Sequence, residues 1–126
     1  MDKFKSLKLY NIAMGFFHFI QGILILILSN NFTLPINTTY LTFNETTYTL
    51  EPVLEHFKDI RLGYAIAIFL FLSSLAHFVL SLPKIYDWYI NNLKRGINYA
   101  RWIEYAFSSS LMIVLIAMLV GVYDLS

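Results

Sequence analysis

The chain has no cysteine, which excludes a disulfide, a thiolate-bound metal and a haem-thiolate site. Charge is scarce as well: Lys, Arg, Asp and Glu make up 13% of 126 residues and nearly cancel to a net +1. The basic residues fall in short clusters rather than along one face, so nucleic acid is not an expected partner. There is no glycine-rich phosphate loop, no serine–histidine–acid context, no paired carboxylates and no HExxH spacing. Soluble-type enzymology and a motif-borne metal site therefore have no support. Internal repeats and low-complexity tracts are also missing.

What the chain has in quantity is apolar surface. Hydrophobic residues make up 58% and aromatic residues 17%, and the mean hydropathy of +0.61 is rare for a soluble domain of this size. A membrane-spanning helix needs roughly 20 mostly apolar residues. Three runs meet that length, at about 10–28, 60–82 and 97–122. Lys3, Lys5 and Lys8 precede the first, and Lys84, Lys94, Arg95 and Arg101 surround the connection between the second and third. Both regions are expected on the cytoplasmic side, with the N-terminus inside and the C-terminus of this chain outside. The first run is too long for a signal-peptide core and lacks a small-residue cleavage site, so it is expected to stay.

The segment 30–59 is then extracellular. It carries Glu45, Glu51, Glu55 and Asp59 against Lys58, and sequons at Asn31, Asn37 and Asn44. These matter only in a host that glycosylates. Two β-branched and aromatic stretches flanking Asn44-Glu45 predict a hairpin over about 38–50. Pro52 suits the first turn of a short helix leading into the second span. The connection 83–96, rich in Tyr and Trp, reads as an interfacial anchoring loop.

Polar groups inside the apolar runs carry the functional signal. At about 1.5 Å per residue, His18 lies about 12 Å, His77 about 8 Å and Glu104 about 10 Å from the inner ends of their spans. The three share one depth although the spans alternate in direction. Gln21 can share a helix face with His18, Ser73 and Ser74 with His77, and Arg101 and Ser108 with Glu104. A buried hydrogen-bonded network in the inner half of the bundle is the expected product. Glu104 weighs most, since an ionisable group at that depth is a functional-site hypothesis by default. It needs either a proton or a cation. The plainer alternatives are a structural Arg101–Glu104 pair, packing histidines, and Ser108–Ser110 as small residues that let helices approach.

Gly15-Phe16-Phe17-His18-Phe19-Ile20-Gln21, Leu72-Ser73-Ser74-Leu75-Ala76-His77-Phe78 and Arg101-Trp102-Ile103-Glu104-Tyr105 through Ala117 closely resemble the first three helices of heliorhodopsins. The resemblance runs over essentially the whole chain, including Asn31 to Pro35, and agrees with the inside location of the N-terminus. It implies an all-α membrane protein: three transmembrane helices of a seven-helix rhodopsin bundle with an extracellular β-hairpin loop, one membrane domain over 1–126. It also implies a retinal cofactor. Glu104 would be the counterion of the protonated retinal Schiff base. His18, His77 and Gln21 would belong to a polar, water-containing network beside it, with Ser73 close to the linkage. Tyr105, Ser108 and Met112 would help line the retinal pocket. The implied partners are the lipid bilayer, helices four to seven or a complementary chain, and a second copy in the full-length form.

Heliorhodopsins link retinal to a lysine on the seventh helix, whereas this sequence ends just past the third span. No lysine falls within a predicted span. This stretch alone is therefore expected not to attach retinal covalently, as part of a light sensor completed by further helices. The alternative from another class is a non-photoactive three-helix scaffold or interaction subunit, in which replacing Glu104 by Gln leaves function unchanged.

Overall fold

A computed structural model describes residues 3–126. Six elements follow one another: α1 (Lys3–Leu28), β1 (Thr33–Asn44), β2 (Thr49–Arg61), α2 (Leu62–Ser81), α3 (Pro83–Lys94) and α4 (Tyr99–Leu119). Helices α1, α2 and α4 are long and apolar enough to cross a membrane, and 17% of each apolar window is buried inside the protein. The remaining apolar surface faces outward, as it must where lipid or further helices are the neighbours. The chain is thus mostly helical, with three candidate spans and one two-stranded antiparallel hairpin.

Helix α1 starts well before the span predicted from Tyr10 and carries Lys3, Lys5 and Lys8 in its first turns. Hydropathy detects only the bilayer-embedded part. Twenty-six residues make about 39 Å of helix against a hydrocarbon core of about 30 Å, leaving room for charged turns outside it.

α1 and α2 pack antiparallel through a stripe of small residues. Asn11, Gly15, His18 and Gly22 recur at the spacing of one helix face, and Asn11, Gly15 and Gly22 are buried. The rings of α2 sit directly on the glycines. A Cβ on Gly15 would lie 2.9 Å from the Phe78 ring, and one on Gly22 2.6 Å from the Phe71 ring. Between them, Ser74 Oγ donates to the Gly15 carbonyl oxygen at 2.7 Å in a buried setting. Small residues that admit close backbone approach, joined by a hydroxyl bond across the interface, are the usual glue of membrane helices.

The connection between spans two and three is a helix rather than a loop. Pro83 occupies the first turn of α3, where its missing N–H costs nothing. Gly96, at φ +73, ends α3 in a conformation open mainly to glycine. Asn98 then caps α4 by accepting from the Arg101 backbone N–H at 3.1 Å. Tyr86, Tyr89 and Ile90 of α3 form a buried cluster with Phe4, Leu7, Leu80, Leu93 and Ala100. The aromatic residues read as interfacial anchors thus divide: Tyr86 and Tyr89 are core, and Trp88 is exposed.

The hairpin is longer than predicted and the helix expected at Pro52 does not form. Strand β2 runs straight through that proline, which pairs opposite Leu41. An edge strand tolerates proline because its outward N–H needs no partner in the sheet. A register shift lies between Ile36 and Asn37. At the turn, Asn44 Oδ1 accepts from the Thr46 and Thr47 backbone N–H groups at 2.9 and 3.4 Å, and Asn44 Nδ2 donates to Glu51 at 3.0 Å. Asn44 and then Thr47 hold the Glu51 carboxyl below the usual range.

The hairpin is fastened to the end of α4. Asn37 N–H donates to the Tyr123 carbonyl oxygen at 2.8 Å, and Leu125 N–H donates to the Asn37 carbonyl oxygen at 3.0 Å. The carboxylate of Asp124 accepts from the Thr39 hydroxyl, from the Thr39 backbone N–H at 3.2 Å, and from the backbone and hydroxyl of Ser126. With the Thr39 hydroxyl first among the causes, these donors hold the carboxyl down at about 2.

Two predictions follow from this packing. Replacing Gly22 by Leu overpacks the interface under Phe71 and should destabilise the chain in micelles by about 1–3 kcal/mol. Ser74→Ala, which deletes one hydroxyl bond, should cost about 0.6–1 kcal/mol. Denaturant titration followed by circular dichroism checks the ranking, and equal losses would contradict it. The carboxyl of Asp124 binds its proton less readily here than its ordinary value of 3.8, so its contribution is complete above that value and lost as pH falls through about 2. Protection of the Thr39 amide from hydrogen exchange should therefore survive to about pH 4 and disappear in Asp124→Ala at any pH.

Candidate functional site

The α1–α2 interface that seats the phenyl rings also fixes the two histidines. The imidazoles of His18 and His77 stack with centroids 5.6 Å apart and planes 20° from parallel. Each meets a side-chain amide: His18 Nδ1 lies 3.0 Å from Gln21 Oε1, and His77 Nδ1 lies 3.0 Å from Asn11 Oδ1. One turn before His77 on α2, Ser73 Oγ donates to Glu104 Oε1 at 2.8 Å. Polar groups from α1, α2 and α4 thus meet at one level, where a buried polar atom without a partner would cost several kcal/mol.

A cavity of about 360 Å³ opens beside this cluster, lined by Asn11, Ser73, His77, Asn98, Arg101, Glu104 and Tyr105 among others. Glu104 also borders a second, mainly apolar hollow of about 320 Å³ with Leu72, Leu75, Ile103 and Phe107. Its carboxylate therefore stands between a polar and an apolar space.

Arg101 does not pair with Glu104. Its Nη2 donates to the Tyr105 hydroxyl at 3.0 Å, and its guanidinium lies 4.9 Å from the centre of that ring. Among the described residues the ion pair within 4 Å is His56–Asp59, on the hairpin. The carboxylate of Glu104 thus keeps acceptor capacity beyond the Ser73 hydroxyl. A carboxylate with that spare capacity, bordering a cavity, is chemically suited to a cationic group.

The remaining predicted residues are placed less tightly. Tyr105 lines the polar cavity, Ser108 is buried, and Met112 is half-buried on the same helix. Ser109 and Ser110 return their hydroxyls to the carbonyls of Tyr105 and Ala106 one turn back, a local way to satisfy a hydroxyl in a span. Among the described residues no group of three His, Asp or Glu side chains is arranged to hold a metal ion. Sequence reasoning missed Asn11. An asparagine one turn before Gly15 and two before His18 on the same face carried a signal of the same kind as the histidines.

The heliorhodopsin family profile matches residues 7–126. The chain belongs to the heliorhodopsin family. Comparison with the curated proteins gave no match. Family membership places the chain in a group of light-sensing membrane proteins of the rhodopsin type, and retinal is the cofactor the family implies.

Proposed function

We propose that this heliorhodopsin chain is the counterion-bearing, N-terminal part of a retinal-binding light sensor, with no retinal-linking lysine among the three spans of residues 1–126. The single observation that carries the reading is Glu104. It is a carboxylate in a candidate span, fixed by the Ser73 hydroxyl and, among the described residues, without a cationic partner of its own. Retinal, when bound through a protonated Schiff base, supplies a cation and a light-driven change of shape. Glu104 then supplies the negative charge that keeps that site protonated, since an opposite charge within about 4–6 Å favours the charged form. Ser73 orients the carboxylate, and His18, His77 and Gln21 form the polar neighbourhood through which a displaced proton or water can be accommodated. Tyr105, Ser108 and Met112 are the positions we assign to the chromophore-facing side of α4.

The chain lies in this reading as one membrane domain with its N-terminus in the cytoplasm and the hairpin outside. The charge distribution supports that orientation. Seven of the nine Lys and Arg residues lie at the end bearing α3, while five of the eight acidic residues lie with the hairpin and Asp124. Among the described residues the outer edge of β2 has no strand partner, which supports pairing of hairpins between two copies in the full-length form.

The test is an absorption spectrum after adding all-trans retinal to membranes holding this chain together with a four-helix heliorhodopsin C-terminal half. A visible band should appear only with both halves present. In Glu104→Gln the band should shift, and its loss on raising pH should begin about one to three pH units lower than in the unmodified chain. Absence of any band, with both halves folded and inserted, would instead favour the scaffold or interaction subunit.

A further inference from the structure

Both histidines of the cluster meet an amide oxygen through the same ring atom. His18 Nδ1 faces Gln21 Oε1 and His77 Nδ1 faces Asn11 Oδ1, each at 3.0 Å. An amide oxygen can only accept, so the ring nitrogen it meets must donate. A neutral imidazole carries one N–H. With that proton on Nδ1, Nε2 is left with a bare lone pair.

We infer that Asn11 and Gln21 are positioning residues that hold His77 and His18 in the tautomer protonated on Nδ1, so that both Nε2 atoms are proton acceptors. The histidine side chain free in water favours the opposite tautomer, with the proton on Nε2, so the amides impose a form that the rings do not choose alone. Asn11 is well placed to do so. It is 4% exposed, sits on the face of α1 that packs against α2, and borders the cavity shared with Glu104 and Ser73. Its Nδ2 has no protein partner among the described residues. The amide is thus fixed by the bond to the ring rather than by a competing bond at its other end. Turning it over would set Nδ2 against the ring and demand the proton on Nε2, so the amide orientation and the tautomer are one choice.

This goes beyond the light-sensor reading and rests on it only for its consequence. There, a proton leaving the site beside Glu104 finds a lone pair on an Nε2 atom already aimed by an amide. Without the amides the same rings would favour an N–H at Nε2 and carry the accepting lone pair on Nδ1 instead.

Nitrogen-15 spectra of the chain in bilayers, labelled in histidine and carrying His56→Asn to remove the exposed third ring, test this without retinal. At about pH 8.5, some two units above the ordinary histidine value, both rings should carry the proton on Nδ1. Asn11→Leu should turn His77 from mainly Nδ1–H to mainly Nε2–H and leave His18 as it was. Gln21→Leu should do the converse. Asn11→Asp, whose oxygens also accept, should keep His77 on Nδ1. A proton on Nε2 of His77 in the chain with native Asn11 overturns the inference, whether or not any variant folds. So does a His77 that stays on Nδ1 in Asn11→Leu. Failure of the two-half retinal experiment would leave these spectra untouched, so the tautomer assignment and the light-sensor reading fail separately.

Discussion

The close approach of α1 to α2 is the contact on which the polar interior depends. Phe71 and Phe78 can lie on α1 only because positions 22 and 15 lack a Cβ, and the Ser74 hydroxyl reaches the Gly15 carbonyl only at that separation. The stacked histidines and the Asn11–His77 bond lie on the same two faces. A wider spacing would leave imidazole and amide atoms facing hydrocarbon without partners, at several kcal/mol each. Apolar packing therefore sets the geometry, and the hydrogen bonds make it specific. Burial alone would not do so in a bilayer, where lipid tails are as apolar as the side chains they would replace.

The spans were legible because hydropathy needs nothing but a run of residues. The shared depth of His18, His77 and Glu104 was legible too, since depth follows from rise per residue and alternating direction. What the sequence hid was governed by partners. Residues 51–61, with Glu51, Glu55, Lys58 and Asp59, look like a solvated stretch around a proline that could start a helix. They form β2 because β1 offers a ladder for their backbone, and an edge strand can expose charge on both faces. Helix α3 was obscured in the same way. Its Tyr and Trp residues suit a membrane surface, and only the packing of Phe4, Leu7 and Leu80 against Tyr86 and Tyr89 decides which rings go inward. Arg101 shows the limit of spacing rules. Glu104 and Tyr105 stand three and four residues away, and the guanidinium takes the phenol, where it gains a hydrogen bond and a ring face together.

The two ends of the molecule are tied down by different means. At the end bearing α3 an apolar cluster holds α1, α2 and α3, while at the other end the link between hairpin and α4 is polar and solvent-exposed. Asp124 contributes there as an acceptor for Thr39 and Ser126, and the backbone of Asn37 holds the strand on either side of it. Exposed bonds of this kind add little stability individually. Their value is positional, since they define where the hairpin sits relative to the end of α4.

In the proposed reading, Glu104 joins these features to function because of where it stands. On one side is a polar cavity with Asn11, His77 and Arg101, and on the other an apolar hollow lined by Leu72, Leu75 and Phe107. A carboxylate wholly inside the polar cavity would have its charge dissipated among donors and water, and one wholly within the apolar hollow would take up a proton. At the boundary, the Ser73 hydroxyl orients the carboxyl group between the two spaces. In the reading proposed above, a conjugated hydrocarbon that ends in a cation would use both sides, its chain the apolar space and its charged end the carboxylate. The Arg101–Tyr105 bond is part of the same arrangement. Had the guanidinium turned to Glu104, the negative charge would already be neutralised, and the carboxylate would have little left to offer a cation arriving from outside the chain.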